Sequence, residues 1–155
     1  MASLPDAVRA GALVTCTYVL LYYLCLCGQA YTNNYHRALY RKAGKKFDRY
    51  YNSKDKKVLA WDRITGNMLE QAMPFLTLFW LNLGLCIAGT TAHGHIIKAG
   101  WTYVALRACY PVAWFSGGGG LGGPRPQIWG ATAPMYSCIV YLFANAVAAA
   151  WSGQE

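Results

Sequence analysis

The sequence predicts an all-α fold: an integral membrane four-helix bundle forming a single domain over residues 1–155. Three observations predict it. The 155 residues are 55% hydrophobic and only 13% charged. Nine of the fourteen Lys and Arg crowd between Arg37 and Lys57, opposed there only by Asp48 and Asp55. This segregation leaves four apolar stretches, at 8–31, 67–92, 96–115 and 128–151. Each reaches the ~20 residues that a helix needs to cross ~30 Å of hydrocarbon. Helices around a soluble core would show a polar face at helical spacing, and these stretches mostly do not.

The first helix is expected over 8–31. It is too long for the apolar region of a signal peptide, and no small-residue cleavage site follows near Tyr31. A retained signal anchor is therefore expected, and an internal organellar address stays open beside it. The basic loop 32–60 comes next and sets the topology, because Lys and Arg favour the cytoplasmic side or its equivalent, matrix or stroma. A basic loop tied to a bilayer points to anionic lipid head groups as partners rather than nucleic acid. Its tyrosines (Tyr35, Tyr40, Tyr50, Tyr51) suit anchoring at the interface.

Helix two is expected over 62–92, and a tight hairpin around His93, Gly94 and His95 leads into helix three, 96–115. Helix three ends at the run from Ser116 to Pro124, which holds six glycines. No strand precedes that run and no Lys-Ser or Lys-Thr pair follows it, so it matches neither nucleotide-binding fingerprint; it reads as a connector. Helix four is expected over 128–151. Arg125 then shares the side of the basic loop, with both termini opposite.

The six cysteines all fall inside the expected helices. Cys25 and Cys27 project about 200° apart, so they do not share an ion, and all six read as buried free thiols. His93 and His95 lack acidic or thiol neighbours. No metal is expected.

Two polar stripes interrupt this apolar pattern. Arg63, Asn67 and Glu70 follow the i, i+4, i+7 spacing of one helix face, and Arg107, Tyr110 and Trp114 the equivalent i, i+3, i+7. Ionisable groups in a membrane helix are costly, so they face protein or water and suggest function. Glu70 lies ~10 Å beyond Arg63, and Arg107 lies ~13 Å before Ser116 along antiparallel neighbours. Matched depth predicts that Glu70 and Arg107 pair, directly or through a bridging water. Such a pair fits two readings: a tie that fixes helix register, or one wall of a polar pocket opening toward the basic loop. In the second, arginine forks grip carboxylates, Glu70 holds an ammonium group and Asn67 orients both. A small zwitterionic peptide carries those complementary groups.

The same residues carry a resemblance. Arg63, Asn67 and Glu70, followed by Pro74 and Phe75, resemble the second-helix signature R-x-x-x-N-x-x-E-x-x-x-P of the MAPEG superfamily, the membrane-associated proteins of eicosanoid and glutathione metabolism. Arg107 and Tyr110, with an aromatic at Trp114, look like its third-helix pattern R-x-x-[HY]-x-x-x-Y. The resemblance implies a trimer of four-helix protomers with glutathione between neighbours near the cytoplasmic face, held by Arg63, Asn67, Glu70, Arg107 and Tyr110. There are departures. Trp114 stands where the family has tyrosine. Members that activate the glutathione thiol commonly place an arginine at the start of helix four. Alignment on Pro134 and Tyr136 puts Ala131 there, whereas alignment on Trp129 lets Arg125 supply the catalytic cation. A thiolate needs such a cation to lower its pKa from about 8.5.

Two functions from different classes follow. The favoured one is an accessory or structural subunit of a larger membrane complex with weak or no catalysis; across both readings the partners are membrane lipids and other membrane subunits or a homotrimer. The alternative is a glutathione-dependent transferase or peroxidase acting on lipophilic electrophiles or lipid hydroperoxides. Either would reside in the endoplasmic reticulum or in an organellar membrane, mitochondrial or plastid.

Overall fold

A computed structural model describes residues 4–49, 55–87, 93–116 and 126–152. Four helices account for nearly all of them: α1 (Leu4–Lys42), α2 (Lys56–Ile87), α3 (His93–Ser116) and α4 (Pro126–Ser152). The all-helical expectation is met, with no strand among the described residues. Helices α2 and α3 form the middle of the bundle. α1 packs on both from one flank and α4 packs on both from the other, and α1 and α4 do not meet among the described residues.

The largest difference from the sequence expectation is α1, which continues eleven residues past Tyr31 to Lys42. Nothing between Thr32 and Lys42 breaks a helix, since the segment has neither Gly nor Pro. Arg41 and Lys42 in its last turn suit the negative end of the helix dipole. The stop is local. Gly44 adopts φ 64°, Lys45 N–H donates to the Tyr40 carbonyl at 2.9 Å, and Gly44 N–H donates to that of Arg41 at 3.1 Å. That is a left-handed glycine cap, with crossed bonds satisfying the last carbonyls. More than a third of the expected basic loop is therefore α1 helix. α2 likewise starts early, at Lys56, and its expected end at Ala92 lies outside the described residues. His93 to His95 form the first turn of α3 rather than a hairpin.

Aromatic residues centre the core. Phe75 stacks on Tyr103 at 3.9 Å between centroids, and Tyr18 leans on both rings. The Tyr18 hydroxyl donates to the Met68 carbonyl at 2.7 Å, which satisfies its polar end inside the bundle. Glycine lets the helices close. A Cβ on Gly28 would lie 2.5 Å from Cη2 of Trp61, so α1 reaches α2 here only without a side chain.

Two helices, within Asp6–Lys42 and Pro126–Trp151, are long and apolar enough to cross a bilayer. α2 and α3 fall short of that mark among the described residues. They hold the polar groups of the stripes, together with Asn82 and Lys98. The six cysteines are free, but Cys16, Cys27 and Cys109 are exposed, not buried as expected. They sit on outward faces of their helices. Among the described residues no His, Cys, Asp or Glu cluster could hold a metal.

Candidate functional site: a polar pocket between the second and third helices

The first turns of α2 present Asp62, Arg63, Gly66, Asn67 and Glu70 on one face, since their spacings of three and four keep them together. Tyr110 and Trp114, one turn apart near the end of α3, complete a pocket of about 400 Å³. Gly66 leaves space here, because a Cβ at that position would meet nothing within 4 Å. Four of the five residues singled out for ligand binding, Arg63, Asn67, Glu70 and Tyr110, therefore line one cavity.

Arg107, the fifth, sits behind the wall and is 1% exposed. Its Nη1 donates to Asn67 Oδ1 at 2.7 Å, its Nη2 to the Asn67 carbonyl at 3.4 Å, and its Nε to the Tyr103 hydroxyl at 3.1 Å. The rings of Tyr103 and Tyr110 lie 5.4 and 5.5 Å from its guanidinium carbon, which adds cation–π attraction. Glu70 and Arg107 form no direct ion pair. Glu70 is exposed and makes no ion pair among the described residues. The reason is energetic as well as geometric. An amide oxygen, a phenol and two ring faces satisfy the guanidinium while the carboxylate keeps its hydration, which avoids the cost of desolvating both ions.

The remaining charges at the pocket are distinct in state. Asp62 is occupied: it accepts from Arg49 Nη1 at 2.9 and 3.1 Å and from Gln29 at 2.7 Å. Arg63 and Glu70, one cation and one anion on the same wall, are exposed. Trp114 contributes an indole N–H that is buried and has no hydrogen-bond partner among the described residues. Where the resemblance places a phenol, this chain thus keeps a donor of a different shape. Ala131 packs against the core from α4 and brings no charge, and Arg125 lies outside the described residues.

The sequence reading missed Asp62 and Gly66 as lining residues and Tyr103 as a partner of Arg107. Tyr103 was within reach of the pattern, since it precedes Arg107 by four residues and so shares its stripe. The Arg49 contact has no local signal. It joins a loop residue to a helix thirteen positions on.

Compared with known family models, characterised proteins and solved structures, the chain matches none. The resemblance therefore rests on the residues of α2 and α3 themselves.

Proposed function

We propose that this protein is an integral membrane bundle of MAPEG-like design that acts as a structural subunit of a larger membrane assembly, with weak or no catalysis. The observation that carries this reading is the condition of Arg107. Its fork is spent on Asn67 and Tyr103, and it is closed off from the pocket, so it ties α2 to α3 instead of waiting for a ligand. Large apolar side chains outside the bundle support the membrane setting. On α4, Trp129, Val140, Phe143 and Trp151 are each more than half exposed. Lipid or neighbouring subunits would cover such a surface. The basic end of α1 then sets the cytoplasmic, matrix or stromal side.

The pocket favours a second reading, a glutathione-dependent transferase or peroxidase. Arg63 and Glu70 suit the carboxylates and the ammonium group of a small peptide, and the free indole N–H of Trp114 awaits an acceptor. Steady-state turnover of glutathione with an aryl-halide electrophile separates the readings. The structural role requires a rate close to the uncatalysed one, because an unassisted thiol of pKa about 8.5 is only a few per cent ionised near neutrality. Robust turnover that is lost in Arg125→Ala would install the enzyme reading.

A further inference from the structure

A second cavity lies between α1 and the first turn of α2. It holds about 340 Å³ and is lined by Tyr31, Thr32, Tyr35, His36 and Lys57. The four α1 residues follow i, i+1, i+4, i+5, one face of the helix, and Lys57 comes from the first turn of α2. Among the described residues no carboxylate lines the cavity. His36 turns its Nδ1 to Asp55 at 3.3 Å, which leaves the Lys57 ammonium as the exposed cation at the rim. Tyr31 and Tyr35 stack at 15° and form an aromatic wall with two hydroxyls. Arg37, Arg41, Lys42 and Lys56, exposed on neighbouring turns, add to the positive field.

What lies below the cavity decides the ligand. Leu13, Leu20 and Leu24 are 57%, 60% and 59% exposed. Their spacing of seven and four continues to Tyr31 and Tyr35, so all five share one line down α1. From Tyr31 to Leu13 that line runs about 27 Å, close to the thickness of a hydrocarbon core. A polar, cationic cup therefore stands at the head of an apolar track, at the level where the apolar part of α1 gives way to its basic end.

We infer that this cavity binds the phosphate head group of an anionic phospholipid whose acyl chain lies along Leu24 and Leu20, the part of the track within one leaflet of the cup. Lys57 meets the phosphate charge, and Thr32 with the two tyrosine hydroxyls donates to its oxygens. Free phosphate would use the cup and leave the track empty. The inference rests on the membrane reading proposed above and goes beyond it by assigning a site.

The test uses the full chain purified in mild detergent and titrated with phosphatidylglycerol or phosphatidylcholine, with bound lipids counted by native mass spectrometry. One tightly held phosphatidylglycerol is expected, preferred over phosphatidylcholine. Lys57→Glu should weaken it about tenfold, whereas Lys56→Glu, exposed but outside the cavity, should leave it nearly unchanged. Tyr31→Ala with Tyr35→Ala should weaken it without touching the cation. Excess inorganic phosphate should fail to displace the lipid. Equal effects of Lys57→Glu and Lys56→Glu would reduce the attraction to diffuse charge and overturn the site. Displacement by phosphate would overturn the lipid assignment. Alkaline carbonate washing of the source membranes tests the other premise separately: release of the protein sinks the membrane reading, whereas retention with indifferent variants sinks the site alone.

Discussion

Asn67→Leu should be among the most damaging single changes in the bundle, although it is nearly isosteric and alters no charge. In the structure Asn67 Oδ1 accepts the 2.7 Å bond from Arg107 Nη1, and Arg107 is 1% exposed. Removing the acceptor strands a charged donor where water does not reach. A hydrogen bond to a charged group contributes ~1.5–3 kcal/mol, and an unsatisfied buried partner costs about as much. The expected loss is thus about 2–3 kcal/mol. At roughly 2–4 °C per kcal/mol for a chain of this size, the unfolding midpoint in mild detergent should fall by about 4–12 °C. Glu70→Gln is the informative comparison. The expectation of a Glu70–Arg107 pair would make it cost ~3–5 kcal/mol. The exposed Glu70 of the structure makes it a surface change worth less than about 0.5 kcal/mol. Arg107→Met combined with Asn67→Leu should recover part of the loss, since replacing both partners leaves nothing unpaired. If Glu70→Gln destabilised as much as Asn67→Leu, the assignment of Asn67 as the partner of Arg107 would be wrong.

Gly28→Ala should destabilise by ~1–3 kcal/mol because its methyl meets Trp61, whereas Gly84→Ala, with open space around its Cβ, should stabilise α2 by up to about 1 kcal/mol; thermal unfolding of both variants checks the contrast. Trp114→Phe removes a buried donor that has no partner, so the ligand-free protein should be unchanged or up to ~1–2 kcal/mol more stable, and glutathione binding measured by calorimetry should weaken if the pocket takes it. In sealed vesicles, a protease on one side should reach the 43–55 segment and spare the C-terminus; cleavage of both from the same side would contradict the orientation set by the basic end of α1.

Helix number and most residues of the polar pocket were legible in the sequence, for a physical reason. Apolar runs and i, i+4, i+7 stripes are properties of a single helix, and Arg63, Asn67, Glu70 and Tyr110 converge once two such helices pack antiparallel. The choice of partner was not legible. Depth along a helix placed Arg107 near both Asn67 and Glu70, and only the three-dimensional arrangement shows the buried guanidinium taking an amide while the carboxylate stays hydrated. The length of α1 was misread for another reason. Charge marked 32–60 as a loop, yet Lys and Arg are good helix formers, and the true stop signal was Gly44. The exposed track of Leu13, Leu20 and Leu24 has a regular spacing, but spacing alone does not tell an outer face from an inner one. Exposure does.

The subunit reading stands or falls on the mass of the native particle extracted in mild detergent. A structural subunit should leave the membrane bound to other, different subunits, as a particle heavier than any small oligomer of the 17.1 kDa chain. Its association should survive when glutathione is omitted throughout. A homotrimer free of other proteins would contradict the claim, and such a trimer turning over glutathione would make the enzyme reading the right one.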